Sequence, residues 1–191
     1  MENERFLLKQ LKDGNEKAFR QVIINHQEMV YRTAYGFFHN QAEAEDLSQE
    51  VFTELFQSIH KFKGHSKLST WLYRITINKS LNEVKKKKNQ KSMQETASFF
   101  NPEASHAIEV KDDQNYDPQR IQENQERKTI LNQAIDSLPE QQKTAFILHK
   151  YDGMAYKKIA EVMNTSLASV ESLMHRAKHN LQKKLIHYYN S

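Results

Sequence analysis

Three groups of side chains carry what chemistry this sequence can offer. Glu43, Asp46, Glu50 and Glu54 recur at three- and four-residue intervals, which stacks carboxylates along one helix face. No nucleophile, metal-ligand histidine or glycine-rich loop lies near them in sequence, so the pattern points to a charged ridge, for docking or for solvent, rather than to acid–base catalysis. His175 and His179 stand four apart, as two metal ligands on a helix do, but no third ligand is evident. Cysteine is absent, which excludes disulfides, thiolate metal sites and cysteine nucleophiles. The third group is basic and aromatic. Lys63, Lys67, Arg74 and the run Lys85 to Lys88 surround Trp71 and Tyr73, and cations beside flat rings suit the phosphates and bases of nucleic acid. We therefore expect a binding protein that is not an enzyme, with no cofactor and no small-molecule substrate.

The charge distribution supports this. The net charge of +4 over 191 residues divides into −4 for residues 1–60, +8 for 61–88, −4 for 89–127 and +4 for 128–191. Two basic blocks separated by an acidic one suggest two phosphate-facing surfaces. Only four glycines, three prolines and 38% hydrophobic residues, with a mean hydropathy of −0.85, favour small helical units over one large core. No apolar run approaches the roughly 18 residues that span a bilayer. Met1 to Arg5 lacks a signal peptide's basic start and apolar core, so the expected location is the cytoplasm.

These observations predict an all-α chain of two small helical domains, residues 1–88 and 128–191, joined by a flexible linker over 89–127. In the first, a helix ends at Asp13-Gly14-Asn15. A second is expected around Ala18 to Ile23, and a third from Val30 to Phe38. The fourth, about 42–60, carries the acidic ridge beside Leu47, Val51 and Leu55. After the Phe62–Leu68 loop, Ser69 is expected to cap a long helix. Trp71, Leu72 and Ile75 form one apolar side of it, and Tyr73, Ile77, Leu81 and Val84 the other. A polar strip of Arg74, Asn78, Asn82 and Lys85 lies between them. Periodicity then fades. Treated as a coil, the linker spans about 35 Å and, fully extended, at most about 130 Å.

In the second domain, Pro139 marks a helix start and Asp152-Gly153 a break. Tyr156 to Met163 is a short helix, Asn164 its left-handed end, and Ser166 the cap of a last helix to about Leu185. Short helix, tight turn and longer helix make a helix-turn-helix. On the last helix Val170, Leu173, Met174 and Ala177 face inward, whereas Ser169, Ser172, His175, Arg176, His179 and Lys183 face outward. Hydroxyls, imidazoles and a guanidinium suit a major groove. An antiparallel hairpin with a solvated face would produce the same pattern, and a regulator using this motif alone is the competing reading.

Four matches resolve this. Ala44-Glu45-Asp46-Leu47-Ser48-Gln49-Glu50-Val51-Phe52 resembles region 2.2 of the sigma-70 family. Ser69-Thr70-Trp71-Leu72-Tyr73-Arg74-Ile75 with Asn78 resembles regions 2.3 and 2.4. Ser137-Leu138-Pro139-Glu140-Gln141-Gln142 with Tyr151-Asp152-Gly153, and Ile159-Ala160-Glu161 with Val170 to Ala177, resemble region 4. Order and spacing are similar to the small extracytoplasmic-function (ECF) sigma factors. The resemblance implies that Asp46, Leu47, Gln49, Glu50, Val51 and Glu54 dock on the β′ clamp of core RNA polymerase. It further implies that Lys63, His65, Ser66, Lys67, Trp71, Arg74, Asn78, Lys85 and Lys86 bind the promoter minus-ten DNA, with one flipped base captured. Tyr156, Ser166, Ser169, Glu171, Ser172, His175, Arg176 and His179 would bind the minus-thirty-five element, while other parts of that domain touch the β flap. An anti-sigma factor around which both domains clamp is a further implied partner. Glu171 and Leu173 depart from the family's basic residues, so the target sequence cannot be carried over.

Overall fold

The computed structural model describes the backbone of residues 2–98 and 118–189 and the side chains of 5–90 and 124–186. Within them the chain is all-α. Helix α1 (Glu2–Lys12) ends at Gly14, whose φ of 76° only glycine adopts freely, and Asn15 then caps α2 by accepting the Ala18 N–H at 3.1 Å. Helix α2 (Glu16–Phe38) is continuous and replaces the two helices expected there. The stretch Asn25-His26-Gln27-Glu28 is polar but holds neither glycine nor proline, so nothing breaks the backbone and the apolar stripe resumes beyond it. A left-handed His39 (φ 55°) closes α2, and Asn40 caps α3 (Gln41–Ser58) through the Glu43 N–H. A 3-10 turn, Ile59–Lys61, leads into the loop before α4 (Leu68–Ser98).

Helix α4 differs from expectation at both ends. It begins one residue before Ser69, with the Lys67 carbonyl accepting the Trp71 N–H, and it continues ten residues past Lys88. Lys, Gln, Met, Glu and Ala dominate that extension and are good helix formers, so loss of apolar periodicity there did not mean loss of helix. Helix α5 (Pro118–Asp136) likewise starts within the span read as linker, with proline tolerated in its first turn. Residues 99–117, the middle of that span, lie outside the described residues. Helix α6 (Glu140–Lys150) follows Pro139, which is the cap rather than the first helical residue. The helix-turn-helix comprises α7 (Tyr156–Met163) and α8 (Leu167–Tyr189). Asn164 sits at φ 52° with its N–H directed at Ala160 O and Glu161 O, and Ser166 accepts the Ser169 N–H at 3.1 Å.

Two principal cores explain why α4 has two apolar sides. Leu72 and Ile75 pack with Leu11, Val22, Val30, Val51 and Leu55 from α1, α2 and α3. On the other side Ile77, with Phe37 of α2, packs with Ile147 and Leu148 of α6, Ile159 of α7 and Met174 of α8. Ala134, Ile135 and Leu138 of α5 join Ala177 and Leu181 of α8 in a third cluster. Helices α2 and α4 thus serve both halves. Gly36 of α2 faces α6, where an added Cβ would lie 2.6 Å from Ile147 Cγ2. Glycine is required there because backbone and side chain meet without intervening space.

Candidate functional site

The acidic ridge forms on α3, and α4 partly neutralises it. Lys79 Nζ lies 3.3 Å from both Glu50 Oε2 and Glu54 Oε2, and Lys87 pairs with Glu43. Asp46 is exposed and has no ion-pair partner among the described residues. Glu50 keeps 65% of its side chain exposed. Burial pulls Lys79 down, but its two carboxylate partners outweigh that and hold its pKa above the ordinary lysine value. Beside the ridge Phe38, Leu47, Asn82 and Lys86 complete a cleft of about 360 Å³. Gln49 is exposed, whereas Leu47 and Val51 are buried. Val51 supports the ridge from inside, and Leu47 shows only an edge to the cleft.

The basic strip of α4 is engaged by the second half of the chain. Arg74 donates from Nε to Val162 O at 3.0 Å and from Nη2 to Glu161 O at 2.8 Å. These carbonyls end α7, where the helix dipole favours a cation and unpaired acceptors need donors. Lys158 of α7 reaches back to Thr70 Oγ1 at 2.8 Å, and Lys85 pairs with Glu140 at 3.0 Å. Lys86 pairs with Glu83 within α4. Asn78 is exposed and lines a cleft of about 440 Å³ with Gln141, Thr144, Met163 and Asn164. Trp71 stacks on Phe62 at 4.9 Å between ring centres and is half-buried. Tyr73 packs on the second core, and burial, followed by the nearby Asp152 charge, pushes its hydroxyl up to about 12. Neither ring is a freely exposed π surface, and Trp71 takes the core side that its place beside Leu72 and Ile75 equally allowed. Lys63, His65 and Lys67 are exposed in the loop, and Ser66 is half-buried.

The outer face of α8 matches its sequence pattern. Ser169, Glu171, Ser172, His175, Arg176 and His179 are all exposed, while Val170, Leu173, Met174 and Ala177 are buried. Ser166 caps the helix, and Tyr156 sits at the start of α7 with its ring edge-on to His149 at 5.1 Å. Of the two departures noted above, only Glu171 faces outward. No group of three or more potential ligands that could hold a metal ion occurs among the described residues.

Sequence reasoning missed the polar contacts between the halves. Thr33 of α2 donates to Asp152 Oδ2 at 2.8 Å, and the other Asp152 oxygen is buried with Arg32 no nearer than 3.9 Å. Lys143, almost wholly buried, donates to Phe37 O at 3.2 Å and Asp136 Oδ1 at 2.7 Å. The Thr33–Asp152 and Lys143–Phe37 pairs are 119 and 106 residues apart in sequence, and no local pattern announces them. Burial pushes the Asp152 carboxyl from 3.8 up to about 6, only partly offset by Thr33 and Arg32. A carboxyl raised in the folded state stabilises it fully below its unfolded value, and that contribution disappears as pH rises through about 6. Asp152→Asn keeps an acceptor for Thr33 and removes the titration. Its stability should therefore gain on that of wild type as pH rises from about 4 to 7, approaching roughly 3 kcal/mol at two pKa units and read as a widening difference in melting temperature. A constant difference between the two proteins over that range would show that the burial is not felt.

An acid-ridged helix beside a basic aromatic one, followed by a helix-turn-helix with a polar outer face, defines a class of transcription proteins. Residues 22–90 match Sigma-70 region 2 and residues 128–181 match Sigma-70, region 4. The chain is 31% identical to the RNA polymerase sigma-H factor of Pseudomonas aeruginosa, covering 96% of this chain and 94% of that one. It is 28% identical to the ECF RNA polymerase sigma factor SigW of Bacillus subtilis, over 93% and 94% of the two chains. In fold it is similar to CnrH, solved in complex with the cytosolic domain of CnrY (TM-score 0.64, 20% identity, 95% and 96% covered). It is also similar to the sigma factor RpoE of Bartonella quintana, solved in complex with the anti-sigma factor NepR (TM-score 0.55, 22% identity, 88% and 97% covered). The chain belongs to the sigma-70 family, in its ECF group. As a sigma factor it is a specificity subunit and not a catalyst. No helix among the described residues is long and apolar enough to cross a membrane.

Proposed function

We propose that this sigma factor docks on the β′ clamp of core RNA polymerase through Asp46, Gln49, Glu50 and Glu54. The Lys63–Lys67 loop and α4 would hold the opened minus-ten strand, and α8 would read the minus-thirty-five element. The observation that carries the reading is the outer face of α8, where Ser169, Ser172, His175 and Arg176 stand exposed at the position a recognition helix requires. Lys85 to Lys88 would hold the duplex backbone upstream of the opened region. Residues 1–88 act as the polymerase and minus-ten module and 128–191 as the minus-thirty-five and β-flap module.

In the arrangement described above, Arg74 and Lys85 are bonded to the second module and cannot serve DNA at the same time. Promoter binding on this reading requires α6 to α8 to leave α2 and α4. A protein inhibitor that holds the closed arrangement would act as an anti-sigma factor, the kind of partner named for the structural relative from Bartonella quintana.

Transcription from a discrete promoter by core polymerase plus the purified chain tests the proposal, with aligned start sites exposing both DNA elements. Asn78 is exposed, with no side-chain hydrogen bond among the described residues, so Asn78→Ala should leave folding intact. It is expected to impair strand opening, followed by permanganate reactivity, more than duplex binding. Equal losses in both would count against base capture.

A further inference from the structure

Asp152 enters the contact between the two halves without a cation at bonding distance. The turn after α6, closed by the Met154 N–H on Leu148 O at 3.1 Å, brings it against α2, where its side chain has no exposed surface. The groups that face it come from α2 and α4. Thr33 Oγ1 lies 2.8 Å from Oδ2, Arg32 Nε stays 3.9 Å from Oδ1, and the Tyr73 hydroxyl, held neutral chiefly by burial, feels the carboxylate charge. Asp152 Oδ1 has no hydrogen-bond partner among the described residues.

Thr33 shows which form of the acid this pocket fits. Its hydroxyl has one proton and two oxygens within reach, Met29 O at 2.9 Å and Asp152 Oδ2 at 2.8 Å. Beside a charged Asp152, Thr33 must turn its proton to Oδ2, and Oδ1 is left a buried anionic oxygen with no donor. With a proton on Oδ2 the carboxyl donates to Thr33 Oγ1, which donates in turn to Met29 O. The chain of hydrogen bonds is then complete, and an unpaired oxygen costs a neutral acid far less than an anion.

We propose that Asp152 is a proton-operated latch between the halves: carrying its proton it locks α6–α8 onto α2 and α4, and losing the proton releases them. Separation returns the carboxyl to water, where it ionises near its ordinary 3.8, whereas burial in the closed arrangement raises it to about 6. Opening therefore releases a proton. Closure is favoured fully below about pH 4 and weakens as pH rises through about 6. The consequence for promoter access rests on the proposed function, since Arg74 and Lys85 become free only in the open form.

Energy transfer between two dyes on the full chain tests the latch without DNA or polymerase. The sequence has no cysteine, so Gln57→Cys on α3 and Lys178→Cys on α8, both exposed, place one pH-insensitive dye on each half. The ratio of separated to closed chain should rise about tenfold between about pH 5 and pH 7.5. Asp152→Asn, whose amide can donate to Thr33 as the neutral acid does, should stay closed with a ratio that pH does not move. His39 also faces the second half, 3.4 Å from Asp136 Oδ1, so His39→Asn serves as the control and should keep the wild-type pH dependence. A wild-type ratio that is constant over this range, an Asp152→Asn slope equal to that of wild type, or loss of the slope in His39→Asn would overturn the proposal. If the latch responds to pH but the chain fails to bind core polymerase, the latch stands and the functional reading falls.

Discussion

A leucine at position 36 is expected to separate α6–α8 from α2 and α4 while leaving the helical content unchanged. The first added carbon would lie 2.6 Å from Ile147 Cγ2 and 3.2 Å from the Tyr151 ring, and Ile147 is fully buried in the second core. Overpacking of this kind costs about 1–3 kcal/mol, which shifts a two-state equilibrium by roughly five- to 150-fold. Leucine is a better helix former than glycine by nearly 1 kcal/mol, so α2 itself should be stabilised. The expected readouts are unchanged circular dichroism, a larger radius of gyration in solution scattering and tighter single-stranded DNA binding as Arg74 is released. An unchanged radius would show that α6 adjusts in place and that the contact does not govern the closed arrangement.

Reversing the charge at Glu50 should have the largest effect on polymerase binding. The side chain is mostly exposed and shares Lys79 with Glu54. A lysine there would repel Lys79, but Glu54 would remain as its partner, so the melting temperature should change little. On the proposed docking, one reversal at the centre of the ridge should lower core affinity about ten- to a hundredfold, more at low salt than at high. Glu50→Gln should lie between. Wild-type affinity for Glu50→Lys would remove the ridge from the docking surface.

What could be read in the sequence was what local chemistry determines. Asn164 and Ser166 bracket the helix-turn-helix turn because capping needs only neighbouring residues, and the outer face of α8 follows from its own period. The two-sided character of α4 was also legible, since Leu72 and Ile77 must each find a core. The break expected inside α2 was not real, because a polar interval without glycine or proline interrupts an apolar stripe and not a helix. Nor could the sequence show which cations were free. Whether Lys79 or Lys9 has a carboxylate partner depends on how α3, α4 and α1 pack. The polar residues Gln142, Lys143 and Thr144 of α6 are buried because α6 packs on α8, where Asn180 donates to Gln142, and on α2, where Lys143 reaches Phe37 O, partners that its own pattern does not encode.

On the proposed function, the Arg74 bonds to the end of α7 would limit how strongly any promoter can appear to bind. If the free chain is separated only a fraction of the time, the measured dissociation constant for the opened strand equals the intrinsic one divided by that fraction. A closed arrangement favoured a hundredfold would thus conceal about 2.7 kcal/mol of intrinsic affinity. Polymerase, by holding the two modules apart, would restore it without touching the DNA. By the same reciprocity, a molecule that binds only the closed form would silence the promoter from any surface of the protein, including one that no nucleotide reaches.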